Sequence, residues 1–378
     1  MKKIIVCTKI KQPTGYMAFI PKPFPTNEFF AIPQNIINKA AKAERLIGKL
    51  DGITQILPNM EFFLRMFFYK DATSSSQIEG TRATMADALE VSAGIDGEKG
   101  DASDIIFYIK ALNYGMKRLK NFPISLRFIR ELHRELMQGG RITHFSDHGE
   151  FRTSQNWIGG TNPNNADFVP VPPHEMKTSL DDLEKFIYDD VSTLPIINIG
   201  YSHAQFETIH PFLDGNGRTG RLLVTFLLVK KGLLENPVLF LSSFFKKHKK
   251  VYYDKLYGYQ SEGDVFGWLD FFLEGVIETA KDSIVVSKKI RAIRDEDMEK
   301  IQRLAKRESD SGIKVLIYLF ENPIVTTKSI MQATGFTRAG AQRVIDRFAE
   351  LDILVEQPKE INYDKKYVYN RYFKAFLD

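Results

Sequence analysis

The sequence predicts a mainly α protein with one β-hairpin, followed by a small winged helix-turn-helix unit. Three observations carry this. Apolar residues recur at helical spacing from Ile36 to Val276. A single stretch, 149–170, breaks into extended runs around an Asn/Pro/Gly loop. After residue 312 the pattern becomes three short helices and then two strands. Four segments follow: an arm with its first helices (1–110), a core (111–285), a linker helix (286–311) and the winged unit (312–378).

Composition narrows the class. A chain of 378 residues has ample length for a core and suggests two or three domains. Lys+Arg 52 against Asp+Glu 47 leaves only +5, so bulk charge does not point to nucleic acid. The one cysteine, Cys7, excludes an intrachain disulfide. No apolar run is long enough to span a bilayer, and the basic start Met1–Lys9 is too short for a secretory signal. A cytoplasmic protein without a membrane partner is expected.

In chain order, 1–35 is rich in Pro and Phe with little periodicity and reads as an extended arm packed on the rest. Ile37, Ala40, Ala41, Ala43 and Leu46 fit an amphipathic helix. A second helix starts at Pro58-Asn59 and runs through Phe63, Met66, Phe67 and Tyr69. It leads into a polar end, where Ser75 and Glu79 are i and i+4 and Gly80 can stop the helix. Residues 84–95 and 101–120 read as helices separated by the turn-rich Gly94–Gly100. Ser125 caps another, whose His133 reads as structural. After the hairpin, helices run over 173–190 and 196–209; His203 and Glu207 on the latter read as structural rather than catalytic.

That helix delivers His210-Pro211-Phe212-Leu213-Asp214-Gly215-Asn216-Gly217-Arg218-Thr219-Gly220-Arg221, followed by an apolar run to Val229 and the stop Lys230-Lys231-Gly232. The Gly-Asn-Gly turn thus opens a buried helix, where free N–H groups and the dipole favour an anion. Glycines let backbone approach phosphate oxygens, and arginine forks match them. Arg218 and Arg221, three apart, leave one face of the first turn. Asp214 inside an anion site implies a bridging Mg²⁺, and His210 is suited to a general base.

This block resembles the signature His-Pro-Phe-x-Asp-Gly-Asn-Gly-Arg-x-x-Arg of the Fic family, whose members transfer AMP from ATP to a protein hydroxyl. The resemblance spans about residues 35–285 and implies a Fic-type helical core. It makes His210 the base and Asp214 the Mg²⁺ ligand. Gly215, Asn216, Gly217 and Arg218 would hold the α- and β-phosphates and Arg221 the γ-phosphate, with Thr219 and Gly220 inside the same ATP site. Gly217, where phosphate-transferring members have lysine, favours AMP transfer. Ser75, Glu79 and Gly80 resemble the family's inhibitory Ser-x-x-x-Glu-Gly, in which Glu79 would pair with Arg221 and deny the γ-phosphate its partner. Asn156, Trp157, Ile158 and Gly159 resemble the flap segment that lines the nucleotide pocket, with a target protein docking along 156–168. Tyr252 either faces adenine or packs within its helix. Gln260 falls near a base-contacting position, with one residue inserted relative to the family pattern.

Beyond the core, 292–310 is charged and reads as a solvated helix bridging domains. In the winged unit, Gly335-Phe336 forms the turn, Thr337 caps the third helix, and Arg338, Gln342 and Arg343 are its exposed residues. The reading leaves open whether 312–378 contacts DNA or protein, and whether the chain forms a homodimer. Two functions compete. One is an autoinhibited protein adenylyltransferase; the other is a nucleotide-sensing DNA-binding regulator. Intact His210 and Asp214 argue for the first. Removal of AMP, with Glu79 positioning a water, is a variant of it.

Overall fold

The computed structural model describes residues 4–55, 60–95, 100–139, 148–189, 194–357 and 365–377. Three expectations lie outside these: the helix start at Pro58-Asn59, the turn over 96–99 and the wing tip at 358–364.

Eleven helices, counted among the described residues, build the core. They are α1 (Gln34–Gln55), α2 (Met60–Ile78), α3 (Met85–Ser92), α4 (Gly100–Leu119), α5 (Leu126–Met137), α6 (Pro173–Tyr188), α7 (Pro195–Ile209), α8 (Asn216–Lys230), α9 (Ser242–Lys247), α10 (Lys249–Tyr257) and α11 (Val265–Gln302). Their ends follow local chemistry. Ser125 accepts the Phe128 N–H and caps α5, and Thr84 with Asp87 forms a capping box on α3. α1 buries Ile36, Ala40, Ala43, Ile47 and Leu50, one stripe at helical spacing, against α11.

The centre is α7, whose residues from Ile196 to Ile209 are all buried. It packs on α6, α8 and α11. Trp268 of α11 is fully buried and donates its ring N–H to the Gly200 carbonyl of α7 at 2.8 Å. A Cβ on Gly200 would stand 2.8 Å from the Phe272 ring, so this close crossing requires glycine. α7 and α8 meet head to tail through residues 210–215, which puts the signature at the middle of the fold.

The N-terminal arm departs from expectation. It forms an antiparallel hairpin, β1 (Cys7–Lys11) with β2 (Met17–Pro21), in the register Cys7↔Pro21 to Lys11↔Met17. Gly15, at φ 101°, makes the reversal, and Gln12 N–H donates to the Tyr16 carbonyl. Only Ala18 and Phe19 of its ten strand residues are buried, too few to leave an alternating signature. The arm is otherwise packed as expected: Phe24 lies on Phe186, and Phe29 on Tyr201.

The charged stretch after 292 also departs. α11 runs unbroken for 38 residues across the expected 285/286 border. Ile290, Ile293, Asp297 and Ile301 form a buried stripe, so the helix is not simply solvated. Then come α12 (Lys306–Glu321), β3 (Ile324–Thr326), α13 (Thr327–Thr334), α14 (Arg338–Glu350), β4 (Val355–Glu356), β5 (Lys366–Val368) and α15 (Asn370–Lys374). The strands are antiparallel in the order β3-β5-β4. Gly335 ends α13 at φ 73° and Thr337 caps α14. This unit is docked on the core. Phe63 of α2 lies 5.2 Å from Phe320, Phe67 lies 5.2 Å from Phe376, and Lys366 pairs with Glu90 at 2.9 Å. Asp297, fully buried, accepts from the Tyr369 hydroxyl at 2.7 Å and from Arg371 at 2.5 Å.

Candidate active site

The loop from α7 to α8 is held from behind by groups far away in sequence. His210 ends α7 in the left-handed region, φ 50° and ψ 60°, an uncommon conformation for a residue with a Cβ. Asn216 closes the loop on itself: its Oδ1 accepts the Phe212 N–H at 2.8 Å and its Nδ2 donates to the Phe212 carbonyl at 2.7 Å. Asn156 Nδ2 donates to the carbonyls of Phe212 and His210 at 2.8 and 3.2 Å. Arg152, also buried, donates Nε to the His210 carbonyl at 2.9 Å and reaches the Ile209 carbonyl. His133 stacks on Phe212 with centroids 3.7 Å apart. Its Nδ1 accepts the Gly149 N–H, which fixes Nε2 as the protonated nitrogen and donor to the Asp214 carbonyl at 2.9 Å. Burial pushes His133 down to about 4, so it stays neutral. His133 is structural as read; Arg152 was not identified from the sequence.

In front of the loop lies a cleft of about 1020 Å³, and His210, Asp214, Gly215, Asn216, Gly217, Arg221, Glu79, Glu207 and Tyr252 line it. Arg221 is its deepest charge, with a side chain only 2% exposed. Its Nε donates to Ser75 Oγ at 2.9 Å, and its Nη2 donates to the Ser75 carbonyl at 3.1 Å and to Glu79 Oε1 at 2.6 Å. Burial pushes the Glu79 carboxyl up, but the Arg221 guanidinium outweighs it and holds the group below the ordinary range. Glu79 follows the last residue of α2, and Gly80 turns away at φ 95°. Lys249 Nζ donates to the Ile78 carbonyl at 2.5 Å and ties down the same helix end. A Cβ at residue 217 would lie 2.4 Å from Glu79 Oε1, so Gly217 makes room for the acid.

Other residues of the motif stand behind this wall. Arg218 points to Asp104 at 3.6 Å and Asp214 at 3.9 Å and does not line the cleft. The two arginines therefore diverge, contrary to the expectation of one shared face, because Asp104 of α4 attracts the first. Thr219 donates its hydroxyl to the Gly215 carbonyl at 2.8 Å. Gly220 leaves space for Glu207, whose Oε1 would be 2.3 Å from a Cβ there.

His210 faces the cleft with its Nδ1 3.3 Å from the Glu207 carbonyl, where a ring N–H donates and Nε2 is left with a lone pair. Burial, with Arg152 nearby, pushes it down to about 4, so it is unprotonated at neutral pH. Glu207 is 6% exposed, and burial pushes its carboxyl up to about 8. Tyr252 is buried, with its hydroxyl 2.9 Å from His203 Nε2 and its ring stacked 4.4 Å from Phe245. It packs within the core and shows the cleft one edge, whereas Tyr253 and Tyr257 are exposed at the mouth. Gln260 lies in a π-helical turn, Gly258–Glu262, the backbone form that one inserted residue produces.

The flap is slighter than the expected hairpin. Ile158 and Phe168 form a single antiparallel bridge, with N···O distances of 2.8 and 3.2 Å. The tip organises itself instead: Gly159 and Gly160 take positive φ, and Asn165 Oδ1 accepts the N–H groups of Thr161 and Asn162. Its brace comes from the arm. Phe19 N–H donates to the Val169 carbonyl at 2.9 Å, and the Phe19 ring lies 4.7 Å from Phe168. Trp157, 40% exposed, hangs over the cleft.

Comparisons with known proteins agree with this arrangement. Residues 123–228 match the Fic/DOC family, and residues 37–117 match the Fic/DOC family N-terminal region. The protein adenylyltransferase Fic of Aedes aegypti is 31% identical over 242 residues, covering 61% of this chain and 45% of that protein. The protein of the same name from Drosophila erecta is 29% identical over 243 residues, covering 62% and 46%. The chain thus spans less than half the length of these curated relatives. A Fic family protein from Desulfovibrio desulfuricans has the same fold, with a TM-score of 0.58 at 17% identity over 92% of this chain and 98% of its own. The chain carries a Fic/DOC family domain, preceded by that family's N-terminal region.

Proposed function

We propose that the protein is an autoinhibited protein adenylyltransferase, transferring AMP from ATP to a Ser, Thr or Tyr hydroxyl of a target protein and of itself. The observation that carries this reading is the convergence, in one cleft, of an unprotonated His210, the carboxylate of Asp214 and an Arg221 already occupied by Glu79. His210 Nε2 takes the hydroxyl proton, the oxygen bonds to the α-phosphorus, and the bond from that phosphorus to the bridging oxygen breaks to release pyrophosphate. The N–H groups at the head of α8 and the Arg221 fork receive the phosphates. We assign Asn156, Arg218, Thr219 and Gly220 to shaping this ATP site from behind, and Trp157, Ile158 and Gly159 to its rim.

Among the described residues no three His, Cys, Asp or Glu side chains gather into a metal cage. Asp214, 39% exposed on the cleft, fits Mg²⁺ bound through one carboxylate and substrate phosphates. The ion would supply charge neutralisation on the phosphates. Glu79 competes with the γ-phosphate for Arg221 and is the brake; Ser75 holds the guanidinium for either partner. We place target docking along 156–168, by strand-like pairing with the flap. The C-terminal unit we read as a winged helix whose exposed Arg338 and Arg343 face a partner, protein or DNA. No described helix is long and apolar enough to cross a membrane, and we place the enzyme in the cytoplasm.

Incubation with Mg²⁺ and α-labelled ATP, followed by intact mass, tests the reading. Glu79→Gly should gain AMP, wild type only faintly, and Glu79→Gly/His210→Ala not at all. Equal labelling of wild type and Glu79→Gly would remove the brake, and transfer by the double variant would remove the base.

A further inference from the structure

We propose that Glu207 is the positioning residue for His210, the acid on the Nδ1 side of the ring that completes a carboxyl–imidazole–hydroxyl triad. The inference rests on the transferase reading and adds to it a residue that looks structural in the sequence. Glu207 lies three residues before His210, within the last turn of α7. Because His210 turns into the left-handed region, its ring folds back over that turn. Nδ1 then lies 3.3 Å from the Glu207 backbone carbonyl and 3.7 Å from its carboxyl Oε2.

The carboxyl is in an unusual position for a packing residue. It is buried yet lines the cleft, and its Oε1 has no hydrogen-bond partner. Glycine at 220 keeps its space open. A buried carboxyl with an orphaned oxygen is costly and uncommon, and such groups concentrate where chemistry uses them. The charges around it come from three other elements: Arg221 of α8, Glu79 beyond α2 and the Tyr252 phenol of α10, besides His210 at the end of its own helix. Burial and Glu79 favour its protonated form, and Arg221 the ionised one.

The consequence for the reaction is a matter of charge. When Nε2 takes the proton of the target hydroxyl, the ring becomes an imidazolium and its Nδ1–H needs an acceptor. Ionised Glu207 places a negative charge 3.7 Å from Nδ1, beside the backbone carbonyl that accepts the N–H; protonated Glu207 leaves that carbonyl alone. The proton stays on the ring and does not pass to the carboxylate, as with the buried acid of a serine-protease triad. Transfer should therefore quicken as pH rises through the ionisation of Glu207. Removing Glu79 should move that inflection to lower pH, because it removes a negative neighbour and leaves Arg221 facing Glu207.

Two measurements test this. The first is ring-nitrogen NMR of His210 in the full-length protein without nucleotide, assigned by its loss in His210→Ala. The expected result is an inflection near pH 8 in wild type, shifted down in Glu79→Gly and abolished by Glu207→Gln. A flat response between pH 6 and 9 in unsubstituted protein, or an inflection that survives Glu207→Gln, overturns the proposal whether or not AMP transfer occurs. The second is the pH–rate profile of self-modification in the Glu79→Gly background. Glu207→Gln should flatten it, with kcat about tenfold lower above the inflection and the KM for ATP little changed. A loss of the same size at every pH would mark Glu207 as mere packing.

Discussion

Two acid–guanidinium pairs are built into this molecule with opposite burial, and the difference separates a rivet from a switch. At the junction with the C-terminal unit the acid is sealed: Asp297 is fully buried and is met by Tyr369, Arg371 and Lys300, while Arg371 reaches outward, 39% exposed. In the cleft the arrangement is inverted. Arg221 is sealed, locked to Ser75 by its Nε and Nη2, while Glu79 is 36% open and is fixed through one oxygen. A buried acid with several donors has no competitor, because nothing from solvent can replace it. A buried arginine with a half-open partner is a site that any better anion can claim.

The largest effect should come from breaking the cleft pair. Glu79→Gly should raise AMP self-modification at least tenfold over wild type, read by intact mass, while a denaturant melt moves by only about 1 kcal/mol, since Ser75 and cleft water take up the Arg221 donors that the carboxylate leaves. Arg371→Ala should do the opposite. It leaves Asp297 buried with only Lys300 and Tyr369 as partners and costs about 1.5–3 kcal/mol in the same melt. Equal stability losses in the two variants would collapse the distinction.

Acid should act through the core. Burial holds the folded values of His133, His203 and His210 at about 4, 3 and 4, below the ordinary 6.5. Their contribution to stability is thus present above pH 6.5 and is lost as pH falls from there toward 4. Thermal melts between pH 7 and 4 should show the loss, and a flat profile would contradict the neutral assignments. The smallest effect should come from Lys249→Ala. It frees the Ile78 carbonyl at the end of α2 and should raise wild-type self-modification a few-fold. No change would leave the Ser75–Arg221 contact, with Gln77 on the Ala83 carbonyl, as sufficient anchorage of that end.

What the sequence made legible was the contiguous chemistry. His210 to Arg221 could be interpreted residue by residue because the turn, the helix start and the charges all lie within one stretch. The pairing of Glu79 with Arg221, 142 positions apart, was visible only through resemblance. Arg152 and the arm that braces the flap through Phe19 and Val169 left no local trace, since one buried arginine and two buried strand residues make no period. Glu207 reads as structural in the sequence because a single acid on an apolar helix carries no sign of what it faces. The buried stripe on α11 escaped because Asp297 interrupts it, the very acid that fastens the C-terminal unit.

α2 is a rod of 19 residues, about 28 Å long, gripped by aromatic rings at one end and ending next to Glu79 at the other. A packed helix tilts largely as one piece, so a displacement at Phe63 or Phe67 would be carried toward the carboxylate. The grip on Arg221 is a hydrogen bond that a shift of half an ångström weakens. Whatever seats itself on the C-terminal unit and tilts this rod would change the affinity for ATP, and ATP would by the same factor change the affinity for that visitor. The far end of the molecule is in this sense a second handle on the same latch.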